Sequence, residues 1–212
     1  HHVDRDLLPP AVANYSEKYW DTRVMAPSSL LFYLGIDRKV QGLLHHNLFF
    51  DEDFEVHAHE IYNSHQWPQK PLFYICAASI SDNTVAPPGM ENLFVLIPTS
   101  TQLTGDDEPM RNKYLHMVMD RLKAVKGIDF SSNIVYQRSY GISDFKSDYH
   151  AFKGNAYGLA NTVSQTALLK PAMRSKKLNN LYFAGQLTLP GPGMPPSIIS
   201  GRMAAQSIIK NL

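Results

Sequence analysis

Apolar residues along this chain fall into short blocks that are separated by polar or turn-forming residues. Blocks of this length with such boundaries predict buried strands. The segment Pro87-Pro88-Gly89 lies between two of the blocks and predicts that residues 72–99 form an antiparallel hairpin with a long loop. We predict strands over residues 29–36, 43–50, 72–79, 92–99, 134–140 and 181–184.

A second pattern places apolar residues three or four positions apart and predicts helices. It is clearest over residues 108–126, and Gly127 stands where a helix commonly ends. The apolar positions of this helix are Met110, Tyr114, Leu115, Val118, Leu122 and Val125. We also predict helices over residues 54–64, 161–172 and 194–212, a short helical region within 4–26, and a loop over 144–158.

The composition is that of an ordinary globular protein and argues against two classes of function. The chain has 212 residues, of which 44% are hydrophobic and 18% charged, and this is enough to bury a core. The formal net charge of +1 indicates no basic face, so we predict no nucleic-acid partner. Because no apolar run approaches the roughly 20 residues of a spanning helix, we do not expect the chain to cross a membrane, although it could lie on one.

The single cysteine, Cys76, cannot form a disulfide within the chain. A lone thiol favours a reducing compartment. Cys76 lies inside the apolar run from Leu72 to Ala78, so we interpret it as a small buried hydrophobic residue.

The stretch from Leu181 to Gly201 carries the most chemistry, because it combines a predicted strand, a glycine- and proline-rich connection and the last helix. Gly185, at the end of the strand, would let a ligand approach the backbone closely. Backbone amides at the start of the helix would favour an anionic or electron-rich ligand edge. On these residues alone, a glycine-rich connection that binds nothing is an equally good interpretation.

The same stretch resembles the C-terminal flavin signature of the bacterial-type phytoene desaturases, a carotenoid desaturase family of FAD-dependent, amine-oxidase-like flavoproteins. In that family a strand with the pattern N-L-Y-x-x-G leads through P-G-x-G-x-P into the last helix, as residues 180–185 and 190–195 do here. Lys170 stands where the family usually has arginine. Further motifs follow the family order at Phe32–Asp37, Leu44–Asn47, Asp82–Gly89, Gly154–Leu159 and Ser164–Arg174.

The resemblance implies oxidation of a C–C single bond to a double bond in a carotenoid or carotenoid precursor such as phytoene, with hydride transfer to FAD. It leaves open which polyene is used, and a saturase or an isomerase would fit as well. A complete family member begins with a G-x-G-x-x-G unit that holds the FAD pyrophosphate, and this chain has none. We therefore expect a missing N-terminal FAD-binding half, without which the chain neither holds FAD tightly nor acts.

The resemblance also implies an α+β fold. Residues 1–158 would form the substrate-binding domain, a mixed and largely antiparallel sheet with covering helices. Residues 159–212 would return to the FAD-binding domain and supply the last strand and helix of its Rossmann-like fold. Because the substrate dissolves in lipid, a cytoplasmic protein with peripheral membrane contact is expected.

Site residues carried over from the family lie mainly in the glycine-rich stretch. Gly185 and Gln186 would lie near the ribityl-phosphate side of FAD, and no catalytic residue is assigned. Candidates for the polyene path are Tyr33, Phe152 and Tyr157, although simple core packing explains each aromatic residue as well. The residues expected to face the flavin ring through the helix start are Gly193, Met194, Pro195, Pro196, Ser197 and Ile198.

Two other functions stay open. Five histidines lie between His45 and His65, and His57 and His59 would share one face of a strand, as a metal site requires, but not of a helix. We favour a hydrogen-bonded or solvated cluster there and predict no metal. The chain could also be a carotenoid- or lipid-binding module that acts alone.

Overall fold

The computed structural model describes residues 1–211, so Leu212, at the end of the last predicted helix, lies outside the described residues. The combination of helices with an antiparallel sheet confirms the α+β class. Helices α1 to α5 span Glu17–Asp21, Phe54–Tyr62, Glu108–Lys126, Ile142–Tyr149 and Met194–Lys210. Strands β1 to β5 span Ser28–Ile36, His46–Phe49, Phe73–Cys76, Glu91–Thr99 and Ile134–Tyr140.

The chain divides into two compact units. The first, which we call the sheet unit, contains residues 28–145. The second, which we call the glycine-loop unit, joins residues 1–27 to residues 146–212. These bounds follow from packing, and the functional division expected between residues 158 and 159 stays a prediction.

The sheet unit contains one five-stranded sheet with the strand order β2-β3-β4-β1-β5. Every neighbouring pair is antiparallel. Strands β3 and β4 pair with Tyr74 opposite Leu96 and Ile75 opposite Val95, which confirms the predicted hairpin. The long strand β1 lies between β4 and β5, so it is shielded on both edges.

One face of the sheet forms the core of this unit. Side chains alternate between the two faces of a strand, and in β1 the inward positions Phe32 and Ile36 are 0% exposed. Helix α3 packs its apolar stripe against these side chains. The residues of α3 in this core are Tyr114, Leu115, Val118 and Leu122.

Helix α3 spans the residues that the sequence predicted because both of its ends are capped. The side chain of Asp107 accepts a hydrogen bond from the Met110 amide at 3.0 Å. Gly127 ends the helix in a left-handed conformation with φ 69°.

Helix α2 confirms the predicted helix and removes the metal pairing that a strand would have allowed. Because residues 54–62 are helical, His57 and His59 do not share a face. His57 is 3% exposed. Its Nδ1 accepts a hydrogen bond from the Leu72 amide, and its Nε2 lies 3.1 Å from the Pro98 carbonyl oxygen. His57 is therefore a hydrogen-bonded structural residue.

Acid is expected to destabilise the sheet unit through His57. Burial lowers the pKa of His57 below its ordinary value, and the hydrogen bond to Pro98 only partly opposes this. In the unfolded chain the imidazole takes up a proton below about pH 6.5, while the folded imidazole stays neutral. His57 therefore contributes stability above that pH, and the contribution is lost as the pH falls toward the lowered folded pKa, by up to about 1.4 kcal/mol per pH unit.

Urea unfolding at about pH 7.5 and about pH 5.5 measures this slope. His57→Gln removes the titrating group but keeps a donor and an acceptor, so its stability should depend less on pH than that of the wild type. His116→Gln, at an exposed position on α3, is the matched control and should keep the wild-type slope. Equal slopes for all three proteins would contradict the role of His57.

The glycine-loop unit departs most from the prediction. The helix predicted over residues 161–172 is wrong, because two 3₁₀ turns, Val163–Gln165 and Ala167–Leu169, occupy the segment. They are separated by the extended residue Thr166, with ψ 169°, and Ala167 has φ 48°. Neither conformation is compatible with a continuous helix.

Two further predictions need correction. The strand predicted over residues 181–184 is reduced to one bridge between Arg174 and Tyr182, and the pairing ends before Gly185, which has φ 113°. The loop predicted over residues 144–158 begins instead with the last six residues of helix α4, residues 144–149. Residues 3–7 form a π-helical turn and α1 follows, which agrees with the short helical region predicted within residues 4–26.

Candidate cofactor site

A buried serine connects helix α5 to the turn that follows Gly185. Ser200 is 0% exposed, and its hydroxyl accepts a hydrogen bond from the Gly185 amide at 3.0 Å. The Thr188 hydroxyl lies 2.8 Å from the Ser200 hydroxyl, and it also donates to the Gly185 carbonyl. The start of the glycine-rich connection is therefore fixed against the helix before any ligand binds.

Three glycines shape the connection between this turn and α5. Gly185, Gly191 and Gly193 have φ values of 113°, 136° and 109°, which side chains on L-residues disfavour. No atom lies within 4 Å of the position that a Cβ would take at Gly185. The backbone at Gly185 thus leaves room for the close approach of a ligand, and the approach itself stays a prediction.

The start of α5 offers fewer free amides than a typical helix. Pro195 and Pro196 have no N–H group, and the Ser197 amide donates to the Gly193 carbonyl oxygen at 2.9 Å. The side chains of Met194 and Ile198 are 83% and 74% exposed. This helix start therefore presents apolar side chains and little amide hydrogen-bonding capacity.

A buried ammonium group lies beside the glycine connection. Lys170 is 6% exposed, and among the described residues its Nζ has no hydrogen-bond partner. A Cβ placed at Gly191 would lie 3.5 Å from this nitrogen, at ordinary van der Waals distance, so the glycine connection passes directly beside the ammonium group. Burial lowers the pKa of Lys170, and an unpaired buried charge is costly. An anionic ligand group would remove that cost.

The motif around Gly158 packs against Gln186, the residue that follows Gly185. Gly158 has φ 76°, and a Cβ there would lie 3.1 Å from the Gln186 carbonyl oxygen. The side chain of Asn155 accepts a hydrogen bond from the Gly158 amide at 2.7 Å. The segment 154–159 is therefore brought into contact with Gln186, one of the predicted cofactor residues.

Tyr33, predicted for the polyene path, lies on the sheet face opposite the core. We call this surface the second sheet face. Tyr33 is 41% exposed, and its ring lies 5.4 Å from that of Phe94 on the neighbouring strand. The ring of Tyr74 lies 6.4 Å from Phe94 in turn. The partly exposed apolar residues of the second sheet face are Leu31, Tyr33, Tyr74, Phe94 and Leu96.

Phe152 and Tyr157 belong to the glycine-loop unit and have different surroundings. The ring of Phe152 stacks on His1 with centroids 4.1 Å apart and meets Trp20 edge-on at 6.2 Å. Phe152 therefore packs in an aromatic cluster, which is the alternative to a place on the polyene path that the sequence analysis left open. Tyr157 is 41% exposed.

A cavity of about 420 Å³ in the sheet unit is polar and does not suit a hydrocarbon. Arg111 lies between Asp106 and Asp144, with N–O distances of 2.7 Å to each. Burial would raise the pKa of Asp106, but hydrogen bonds from Arg111 and Ser143 outweigh it and lower the pKa. Because Arg111 and the two aspartates neutralise one another, we interpret these residues as a structural ion-pair cluster that lines the cavity.

Comparison with known proteins decides the family. The family model described as flavin containing amine oxidoreductase matches residues 17–209. The chain belongs to the flavin-containing amine oxidoreductase family. The match covers the glycine connection, Lys170 and Ser200, so the geometry described above is part of a flavoprotein family member.

Relatives within this family confirm the resemblance to carotenoid desaturases. The chain is 40% identical over 211 residues to a carotenoid 3,4-desaturase of Haloarcula japonica, covering 100% of this chain and 42% of that protein. It is 30% identical over 219 residues to a 4,4'-diapophytoene desaturase (4,4'-diaponeurosporene-forming) of Staphylococcus haemolyticus, covering 100% and 44%. The enzyme of that name from Staphylococcus aureus (strain Newman) is 31% identical over 192 residues, covering 87% and 38%. The chain thus spans about two fifths of the length of these relatives.

The sequence analysis predicted the glycines of this candidate site but not the residues that fix them. Ser200 and Thr188 are small polar residues without a distinguishing pattern. Lys170 was noticed as a departure from the family motif, yet its unpaired nitrogen depends on packing against Gly191. Gly158 did carry a signal, since it stands in a motif that resembles the family.

Proposed function

We propose that this chain is the C-terminal part of an FAD-dependent carotenoid desaturase that oxidises a C–C single bond of a polyene to a double bond. The observation that carries the cofactor assignment is the unpaired Nζ of Lys170 beside Gly191, within a connection of glycines that leaves room for a ligand. The names of the relatives support the reaction and the substrate class. Fixed groups of this kind hold and orient a cofactor.

When bound, FAD would supply the hydride acceptor for the oxidation of C–C to C=C, and the second hydrogen would leave as a proton. The residues of this chain would bind FAD and orient it. Lys170 would neutralise an anionic part of FAD, and the open backbone at Gly185 with Gln186 would contact its ribityl-phosphate side. Gly193 to Ile198 would face the ring largely with apolar surface, because Pro195 and Pro196 remove two amides.

A polyene hydrocarbon offers no charged group to hold, so its site should be apolar and aromatic. The second sheet face has this character and includes Tyr33, Tyr74 and Phe94. We propose that this face contributes to the polyene path in the sheet unit. Phe152 is the weaker candidate, because stacking on His1 already accounts for it.

Helix α5 carries an exposed apolar stripe that fits an incomplete FAD-binding domain. Met194, Ile198 and Ile209 are 83%, 74% and 70% exposed. Their helical spacing places them on one side with the exposed small residues Gly201 and Ala205. We propose that the remaining polypeptide, with the FAD-binding half, covers this stripe. Residues 159–212 would then belong to the FAD-binding domain, and the chain alone would hold FAD weakly.

Contact with a membrane belongs to the same proposal, because a carotenoid substrate dissolves in lipid. Among residues 1–211, no helix has both the length and the apolarity needed to cross a bilayer. A peripheral contact is therefore proposed from the substrate alone.

Flavin affinity tests the site without relying on activity. In the complete natural polypeptide that carries this sequence, Lys170→Met should weaken FAD binding about 10–100-fold, because one charge-assisted hydrogen bond is lost. The dissociation constant is measured from the quenching of flavin fluorescence. The unfolding midpoint of the flavin-free variant should not fall, since methionine removes an unpaired buried charge.

Lys210→Met is the matched control, because Lys210 lies exposed at the far end of α5. It should leave FAD affinity unchanged. An unchanged affinity in Lys170→Met would contradict the role of Lys170. A complete polypeptide that binds no FAD, or that binds FAD but lengthens the conjugation of no carotenoid precursor, would contradict the proposed function.

A further inference from the structure

Two histidines and the single cysteine form a cluster on the second sheet face of the sheet unit. One possible ligand atom from each of His45, His46 and Cys76 lies within 4.8 Å of the others. His45 and Cys76 are partly buried and His46 is exposed. The sequence predicted Cys76 to be buried, but in β3 it alternates with the buried Ile75 and points to the second sheet face.

Strand pairing explains how these side chains meet. His46 on β2 lies opposite Cys76 on β3, and directly opposed residues share a face. Consecutive residues of a regular strand would point to opposite faces, yet the rings of His45 and His46 are 4.2 Å apart. The chain turns into β2 at His45, so both imidazoles lie together.

The turn into β2 is held rigidly. The Leu44 amide donates to the side-chain oxygen of Asn47 at 2.9 Å. The side-chain nitrogen of Asn47 donates to the Leu44 carbonyl and to the Ile75 carbonyl on β3. A site supported in this way keeps its geometry before a ligand arrives.

Neighbouring hydroxyl groups orient both imidazoles. Nδ1 of His45 is hydrogen-bonded to the Ser81 hydroxyl, and Nδ1 of His46 lies 2.7 Å from the Tyr74 hydroxyl. In a metal-binding histidine the second ring nitrogen usually hydrogen-bonds to an outer partner such as a carboxylate, a backbone carbonyl or water, and the two hydroxyl groups can accept from the imidazoles in the same way.

We propose that His45, His46 and Cys76 bind a borderline or soft divalent cation, for which Zn²⁺ is the model. Two imidazoles and a thiolate suit Zn²⁺, whose bonds of about 2.0–2.3 Å place tetrahedral donor atoms roughly 3.5 Å apart. Binding would require side-chain rotations that bring the donor atoms closer together than their present separations of up to 4.8 Å. Because the cluster is partly exposed, water would occupy the fourth position. The site does not depend on the proposed desaturase function.

Metal titration of the complete polypeptide tests the site. After chelation and removal of the chelator, the protein should bind one equivalent of Zn²⁺ at this site, measured by competition with a chromophoric chelator. Co²⁺ in its place should give a thiolate-to-cobalt charge-transfer band. Cys76→Ser should abolish this band and weaken Zn²⁺ binding by more than about 100-fold, which exceeds the usual effect of losing an outer-sphere partner.

His46→Asn should weaken binding similarly, and Tyr74→Phe by about 10–100-fold. His116→Asn, at an exposed histidine on α3, should bind as the wild type does. Circular dichroism establishes that each variant is folded. If a variant does not fold, Zn²⁺ protection of Cys76 from alkylation, read by peptide mass in the wild type, gives the answer. Absent protection, or Zn²⁺ and Co²⁺ binding unaffected by Cys76→Ser, would overturn the proposal.

Discussion

Replacing Leu122 by alanine is expected to lower the free energy of unfolding of the sheet unit by about 3–5 kcal/mol. Leu122 is 0% exposed and lies in the core between α3 and the sheet. Alanine would remove three buried carbons and leave a cavity that the surrounding strands cannot fill, so the transfer and cavity costs add. No other single truncation on α3 removes an aliphatic side chain that is as completely buried.

Hydrogen exchange of the β1 and β4 amides measures this loss in the sheet unit without interference from the rest of the chain. Leu44→Ala is the matched control, because the Leu44 side chain is 71% exposed. It should change stability by less than about 0.5 kcal/mol. Similar losses in the two variants would show that α3 is not packed on the sheet as described.

Replacing Gln165 by leucine is expected to destabilise the glycine-loop unit by about 2–4 kcal/mol. Gln165 is 2% exposed, and its side-chain oxygen accepts from the Val24 amide at 2.8 Å. Its side-chain nitrogen donates to the carbonyl oxygens of Val24 and Ala160, at 2.8 and 3.1 Å. Leucine is of similar size, so the loss comes mainly from the Val24 amide and the Ala160 carbonyl, which lose their hydrogen bonds to Gln165, while the Val24 carbonyl still accepts from the Ala160 amide.

Thermal unfolding, together with hydrogen exchange at the Val24 amide, measures this effect. Gln206→Leu applies the same chemical change at an exposed position of α5 and should leave the midpoint nearly unchanged. A Val24 amide that stays as well protected in Gln165→Leu as in the wild type would argue against the described hydrogen bonds.

Where structure is determined locally, the sequence was sufficient to predict it. Helix α3 could be predicted to the residue because its apolar spacing and its end residues, Asp107 and Gly127, act within one or two turns. The hairpin of β3 and β4 was readable for the same reason. The segment 161–172 was not, since Gln165 bonds to Val24, 141 residues away. The apolar residues of this segment suggested the buried face of a helix, but the side chains of Val163 and Leu168 are 91% and 89% exposed.

The candidate cofactor site divides in the same way. Gly185 and Gly193 could be singled out from the sequence because glycine is the residue that most readily adopts the positive φ values found at these two positions. The role of Lys170 could not be predicted from the sequence. Its ammonium group is unpaired because none of the described segments packed around it offers a hydrogen-bond acceptor, and that depends on the tertiary structure. Cys76 was misplaced because an apolar run does not tell which residues of a strand point away from the core.

The division of the chain has a consequence for synthesis. The sheet unit is one uninterrupted stretch, residues 28–145, so all of it is synthesised before the second part of the glycine-loop unit. Domains fold as units as they emerge, so the sheet can form early. The glycine-loop unit can form only later, because its first segment, residues 1–27, packs with residues that are made after the whole sheet unit.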